Sequence, residues 1–288
     1  MLNAVRIVFA CVLAGVSVAE CSAPAAATET FRVATFNIHK GATRAGRYDL
    51  QGIIEAIAKL RVDAIGLQEV IRHHPGLQCD DQPALIAAGL TRATGRKWDY
   101  VFATAFTMPD ATCPGADGGK VVSAEGEAIF TPGTIISATE LAMVEQRVAL
   151  MVEISSLPGV PIVTTHLAAW DVNQPRRVEE VRTLLPWMSR RSGAILLADL
   201  NAEPEAPEIA PLFARYRDAW GEAAATRRTN GIASGETEIA ANHRIDYVLW
   251  DRSSPLALES ADVVDTRGVH GEPDPSDHRP LVATFTRR

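Results

Sequence analysis

The sequence predicts an α/β fold, and three features carry that expectation. Apolar runs of strand length alternate with segments whose apolar residues recur every three or four positions. A strand, a helix and a second strand follow one another between Phe31 and Leu67, which is a βαβ unit with parallel pairing. Chemically capable polar residues stand where apolar runs end: Asn37, Glu69, His166, Asp199, Asn201 and Asp277-His278. In α/β folds, sites form where strand ends meet loops.

Residues 31–38 (FRVATFNI) read as a buried strand. Asp49 is placed to cap a helix whose apolar face is Leu50, Ile53, Ile54, Ile57 and Leu60. Residues 62–67 form the second strand, ending in Gln68-Glu69, and another helix is expected near residues 83–94. Residues 128–131, 148–154 and 161–165 are short apolar runs separated by turns, read as strands. Residues 174–188 predict a helix with Val178, Val181, Leu184 and Leu185 inward. Residues 194–198 are a buried strand leading into Asp199-Leu200-Asn201. Residues 226–242 are polar and Gly-containing, hence a loop, and residues 245–250 and 280–285 are late strands.

The chain has 288 residues, 47% hydrophobic and 22% charged, an ordinary globular composition. With no Pro/Ser/Gly linker and no repeat, one domain over residues 28–288 is expected, preceded by a signal peptide over residues 1–27. Arg6, the apolar stretch IVFACVLAGVSVA and the small residues that follow have the order of a secretory leader. The stretch is short of the roughly 20 residues that a membrane span needs. The expected location is therefore secreted or periplasmic, with no transmembrane domain after cleavage. Lipoprotein anchoring at Cys21 is a minor alternative, because Glu20 stands where a small residue is expected. Cys11 and Cys21 fall in the leader, leaving Cys79 and Cys113, which an oxidising compartment would pair as a disulfide. Neither has a partner at zinc-ligand spacing. A net charge of -7 argues against tight, processive nucleic-acid binding. It leaves a nuclease open, since a bound cation changes the local field. A monomer is expected.

The residue types favour hydrolysis of a phosphoester. Glu69 and Asp277 suit a hard divalent cation, and Asn37 can add or orient an amide oxygen. Asp199 and Asn201, alternating along one strand, would point the same way, the carboxylate holding an attacking water and the amide fixing it. His166 and His278 can donate protons or meet charge developing on phosphorus. Asp246 can hold an imidazole in one tautomer, and Arg147 offers a planar fork to a phosphate. A serine hydrolase is disfavoured, for the chain has no G-x-S-x-G elbow.

The segments TFNIH, LQE, GEAIF, EQRVAL, TTHL, LADLN, RIDYVL and SDHRPL resemble the endonuclease/exonuclease/phosphatase superfamily of DNase I-like metal-dependent phosphoesterases. The resemblance runs over residues 31–285. It implies a four-layer sandwich of two packed mixed β-sheets flanked by helices, and Mg²⁺ as cofactor, with Mn²⁺ as a substitute. It implies metal binding at Asn37, Glu69 and Asp277, and water activation by Asp199 with Asn201 beside it. It implies phosphate contact by His278, supported by Asp246, a second active-site histidine at His166, and a phosphate-binding Arg147. Glu125 or Glu127 would support His166, and Trp170 would stand near the mouth of the site. Ala198 replaces a frequent Gly, and Ala124 stands where abasic-site endonucleases and DNase I-like members have Tyr. The inositol-phosphatase stretch is absent. The implied activity is an exported phosphodiesterase with DNA or RNA as first substrate. A phospholipid or sphingomyelin head group is the alternative, and a non-catalytic binding protein the third reading.

Overall fold

The computed structural model describes residues 29–144, 146–169, 171–271 and 274–287. Along them run β1 (Thr30–Asn37), α1 (Leu50–Leu60), β2 (Ala64–Arg72), α2 (Gln82–Thr94), β3 (Asp99–Pro114), β4 (Lys120–Thr131), β5 (Ile135–Met143), β6 (Arg147–Ile154) and β7 (Ile162–His166). There follow α3 (Gln174–Met188), β8 (Ile195–Asp199), α4 (Ala210–Arg215), β9 (Tyr216–Asp218), α5 (Ala219–Ala225), β10 (Asp246–Asp251), β11 (Leu256–Val263) and β12 (Leu281–Arg287). The Asp49 side chain accepts a bond from Gly52 N and starts α1 as expected, and Arg61 ends it in the left-handed conformation.

The strands form two six-stranded mixed sheets, ordered β11-β12-β1-β2-β4-β3 and β5-β6-β7-β8-β10-β9. The β1/β2 and β7/β8 pairs are parallel. Side chains alternate across each strand, and here both faces are covered. Val148, Leu150, Val152, Leu197, Trp250 and Phe285 fill the space between the sheets. Met151, Leu196 and Leu249 face outward under Val181, Leu184 and Met188 of α3. Phe36, Ile65 and Leu67 lie under Ile53 and Ile57 of α1 and Ile86 and Leu90 of α2. The result is the four-layer sandwich, and burial on both faces explains why the central strands read as unbroken apolar runs.

The sheets approach closely at Gly66, where a Cβ would sit 2.8 Å from Thr164 Oγ1 and 2.9 Å from Leu197 Cβ. Two residues on, the buried Gln68 bridges the gap. Its Nε2 donates to Thr164 Oγ1 (2.9 Å) and Leu197 O (3.3 Å), and its Oε1 accepts from Thr35 Oγ1 (3.2 Å). A buried polar group satisfied on both its nitrogen and its oxygen fixes the relative placement of its neighbours.

The structure departs from the sequence expectations in places. The β3–β4 hairpin occupies a region where the sequence predicted no element before residue 128, because bulges between Thr104 and Phe106 and between Met108 and Thr112 break the period-2 pattern. β5 is an edge strand with Ile136 62% exposed, and α5 is too short for a helical period to be read. α3 has the expected bounds, but Val178 is 49% exposed rather than inward. The buried face centres on Arg177, Val181, Leu184 and Met188, and Val178 is turned from it by roughly one 100° step.

Cys79 and Cys113 form the expected disulfide, with Cα atoms 5.7 Å apart. Cys113 lies buried within β3. The bond ties the 3-10 turn Pro75–Leu77 to β3 across 34 residues of chain. Replacing both cysteines by serine is expected to remove about 3 kcal/mol of stability. The measurement is a lowered urea midpoint, and an unchanged midpoint would show that other contacts hold the turn. The expected leader, with Cys11 and Cys21, and Trp170 lie outside the described residues. No helix among the described residues is long and apolar enough to cross a membrane.

Candidate active site

The strand directions gather the polar residues. β1 and β7 end in Asn37 and His166, and β8 ends in Asp199. β10 and β12 run antiparallel to β8 and β1, so their beginnings lie at the same edge, with Asp246 first in β10 and Asp277-His278 just before β12. His166 is in register with Asp199, and Asp199 with Asp246. Asn37 Nδ2 donates across the sheets to Asp199 Oδ2 (3.0 Å) and within its own sheet to Glu69 Oε1 (3.1 Å). Ser276 Oγ donates to Asn37 O (2.8 Å), which brings the Asp277 segment to the same place.

Two placements differ from expectation. Glu69 does not end β2 but sits inside it, at the irregularity between Leu67 and Val70, with φ of 55°. Asn201 does not continue the strand of Asp199. β8 has ended, and Asn201 has φ of 47° in the turn that follows. His39 and Lys40, beside Asn37, also have positive φ, 48° and 58°. Non-glycine residues held in this region each cost of order 1–3 kcal/mol, and such strain persists where surrounding structure over-determines it, often at functional sites. The turn lets Asn201 N donate to Asp199 Oδ1 (2.9 Å), while its Nδ2 reaches His166 Nε2 (2.8 Å) and Leu167 O (3.0 Å).

The two histidines have opposite electrostatics. His278 Nδ1 is 2.8 Å from Asp246 Oδ2, and its Nε2 is 3.9 Å from Asp199 Oδ2. Burial by itself would lower the His278 pKa, but Asp246, Asp199 and Asp277 together raise it to about 10, so it is an imidazolium at neutral pH. Burial, then Arg147, His278 and Lys40, push His166 well below the ordinary histidine value. His166 is therefore neutral, and with the Asn201 amide donating to Nε2 that nitrogen is an acceptor. Of the two proton-donor candidates only His278 carries a proton to spare. Burial and the neighbouring Asp246 raise Asp199 to about 7, against His278 and the bonds from Asn37 and Asn201.

Glu125 pairs with Lys40 (3.6 Å) and is raised by burial to about 6. Glu127 is buried, its Oε2 has no hydrogen-bond partner among the described residues, and burial raises it well above the usual carboxylate value. Neither carboxylate bonds to His166 among the described residues; its Nε2 meets the Asn201 amide at 2.8 Å and lies 3.5 Å from Asp199 Oδ2. Gly126 between them admits no side chain, since a Cβ would fall 1.9 Å from Ala103 O. Arg147, at the start of β6, lines a cavity of about 380 Å³ with Lys40, Glu69, Glu125 and His166.

Arg177 and Glu208 had no role in the sequence reading. Arg177 Nε and Nη2 donate to Glu208 Oε1 (3.0 and 2.7 Å), and Arg177 Nη1 donates to Ala168 O (3.0 Å). Glu180 Oε2 accepts from Ala168 N (2.9 Å). This buried set joins the loops that follow His166 and Asn201. The apolar residues expected inward on α3 included Val178, so nothing in the sequence marked Arg177 for the buried face.

The Endonuclease/Exonuclease/phosphatase family model matches residues 34–278 of the chain, a span that includes every site residue named above. The chain belongs to this family. Among solved structures it is similar to an endonuclease/exonuclease/phosphatase from Beutenbergia cavernae, at 22% identity and TM-score 0.68 over 90% of this chain and 72% of that one. It is similar to the human Nocturnin catalytic domain with bound sulfate, at 20% identity and TM-score 0.65 over 90% and 95% of the two chains. It is also similar to a Bacteroides thetaiotaomicron mannosyl-6-phosphatase, at 15% identity and TM-score 0.60 over 88% and 99%. At these identities the likeness is one of fold. No curated protein matches the chain.

Family members are phosphoesterases and generally depend on a divalent metal, and the residues here fit one. Glu69 and Asp277 have side chains 20% and 34% exposed, and Asn37 adds an amide oxygen. An all-oxygen set partly open to water suits Mg²⁺, which keeps several of its waters. Asp199, Asp246 and His278 also offer ligand atoms within 4.8 Å of one another. That group is buried and its imidazole Nδ1 is already bonded to Asp246, so it suits proton handling better than a hydrated cation.

Proposed function

We propose that the protein is an exported, Mg²⁺-dependent phosphodiesterase, residues 1–27 a signal peptide and residues 28–288 one catalytic domain. The observation that carries the catalytic reading is the Asn37 amide donating at once to Glu69 on one sheet and Asp199 on the other, which ties the metal ligand to the base. Export is supported by the leader-like start of the chain and by a disulfide suited to an oxidising compartment. Asn37, Glu69 and Asp277 would hold the cation. When bound, it would polarise a phosphoryl oxygen and offset negative charge in the transition state.

The chain's own residues do the rest. Asp199, oriented by Asn37 and the Asn201 backbone, accepts a proton from the attacking water, and a base with a pKa near the working pH is well tuned for this. His278, held at Nδ1 by Asp246, presents its Nε2 proton to the phosphoryl group as negative charge grows there. Arg147 and Lys40 neutralise the non-bridging oxygens. Neutral His166 holds the Asn201 amide in place.

Nucleic acid is the first substrate to test and a phospholipid head group the second, the missing Tyr at Ala124 favouring a search beyond DNA. Purified protein with Mg²⁺ or Mn²⁺ is expected to cleave bis-p-nitrophenyl phosphate and at least one of plasmid DNA, RNA or sphingomyelin vesicles, and to lose activity on chelation. Chelator-resistant cleavage would remove the metal from the mechanism. Inertness on every phosphoester, with metal shown bound, would leave the binding-protein reading.

A further inference from the structure

The ion-paired side chains of Lys40 and Glu125 line two neighbouring cavities. One is the cavity of Glu69, Arg147 and His166. The other, of about 300 Å³, has apolar walls from Ile71, Leu77 and Met108. Ile71 stands two residues beyond Glu69 on β2, Met108 borders a bulge of β3, and Leu77 ends the 3-10 turn that Cys79–Cys113 ties to β3. The buried Gln82 fixes the two sides of this second cavity: its Nε2 donates to Lys40 O (2.7 Å) and its Oε1 accepts from Ile71 N (2.8 Å). An apolar, largely pre-formed hollow joined to a polar centre is how small-molecule sites are built. The flank at Asn201 is different, a cavity of about 390 Å³ lined by Glu203, Glu205 and Glu208.

We propose that the Ile71–Leu77–Met108 cavity binds the organic group esterified to the phosphate held by Arg147. The favoured substrate is then a small phosphoester carrying a compact apolar or aromatic group, rather than an extended polyanion. The inference rests on the phosphoester reading of the site. A long polynucleotide crossing the centre would have to pass carboxylates on one side and aliphatic walls on the other, on a chain of net charge -7. The cations that line the two, Lys40 and Arg177, are ion-paired with Glu125 and Glu208, so these surfaces offer little toward the counterion displacement on which such binding depends.

The test is calorimetric titration of the Mg²⁺-loaded protein with methylphosphonate, phenylphosphonate, hexylphosphonate and thymidine 5′-phosphate, each with one phosphoryl group and at most one organic group. Phenylphosphonate is expected to bind at least about tenfold more tightly than methylphosphonate, the scale on which apolar pockets discriminate. Met108→Trp, which fills the cavity, and Leu77→Asp, which charges its half-buried wall, should each erase that difference and leave methylphosphonate affinity unchanged. Loss of hexylphosphonate or of thymidine 5′-phosphate binding in the same variants identifies an alkyl or a nucleoside group as the occupant. Equal affinity for methylphosphonate and all three larger ligands would overturn the inference and leave the phosphoester reading intact. An oligothymidylate that binds far more tightly than thymidine 5′-phosphate would overturn it in favour of a polynucleotide. Binding of none of these ligands would remove the phosphoester reading and this inference with it.

Discussion

Asp199→Asn is expected to lower kcat by about 10²- to 10⁴-fold, the usual contribution of a positioned general base, with Mg²⁺ affinity nearly unchanged. The Asp199 oxygens are engaged by Asn37 Nδ2 and Asn201 N, and an asparagine oxygen preserves one of these bonds while removing basicity. Glu69→Gln is the contrast: it removes charge from a partly open carboxylate and should weaken metal binding by about tenfold or more, on the scale seen for groups around metal sites. Metal titration and single-turnover kinetics on both variants decide the matter, and exchanged patterns would reverse the assigned roles. The stability change has a sign as well. Asp199 is raised to about 7 in the fold, so its ionisation opposes folding above that pH and has no such effect below the unfolded carboxylate value. The Asn variant should therefore be at least as heat-stable as the parent at pH 8, the usual exchange of stability for function.

Asp246→Asn should act through His278. Asp246 is the largest influence raising the His278 pKa to about 10, against burial, which lowers it. Without that carboxylate the burial effect gains, the pKa falls, and the imidazolium is lost at lower pH. In the parent, activity should rise as Asp199 ionises and hold until His278 deprotonates near the alkaline end. In the variant the alkaline limb should move down toward neutrality, and kcat at pH 8 should drop by about 10²- to 10³-fold, as for removal of one preorganised donor. A pH–rate profile reads both effects. An alkaline limb that stayed in place would show that His278 does not act as the charged donor.

Strand, helix and strand from Phe31 to Leu67, the Asp49 cap and the limits of α3 were legible because each depends on neighbours a few residues apart. The β3–β4 hairpin was not, since its bulges insert one extra residue after Thr104 and three after Met108 and leave no long run of constant period. The site residues were visible as types at strand ends. Glu69 was misplaced there because a left-handed bulge leaves no trace in an apolar pattern. Arg177 and Glu208 read as ordinary charges on a helix and in a turn. Only their burial against Ala168 gives them a purpose in holding the loops that follow His166 and Asn201.

The sequence alone determined which side chains were available: two carboxylates and an amide suited to a hard cation, a carboxylate to take a proton, two histidines and an arginine. Tertiary structure decided what each one is. His166 and His278 are the same residue type, yet one is neutral and the other charged, because protonation follows burial and the carboxylates within a few ångströms, and those neighbours come from strands far apart in the chain. Local periodicity can place a residue at a strand end, but only the packing of two sheets sets the distances on which its charge depends.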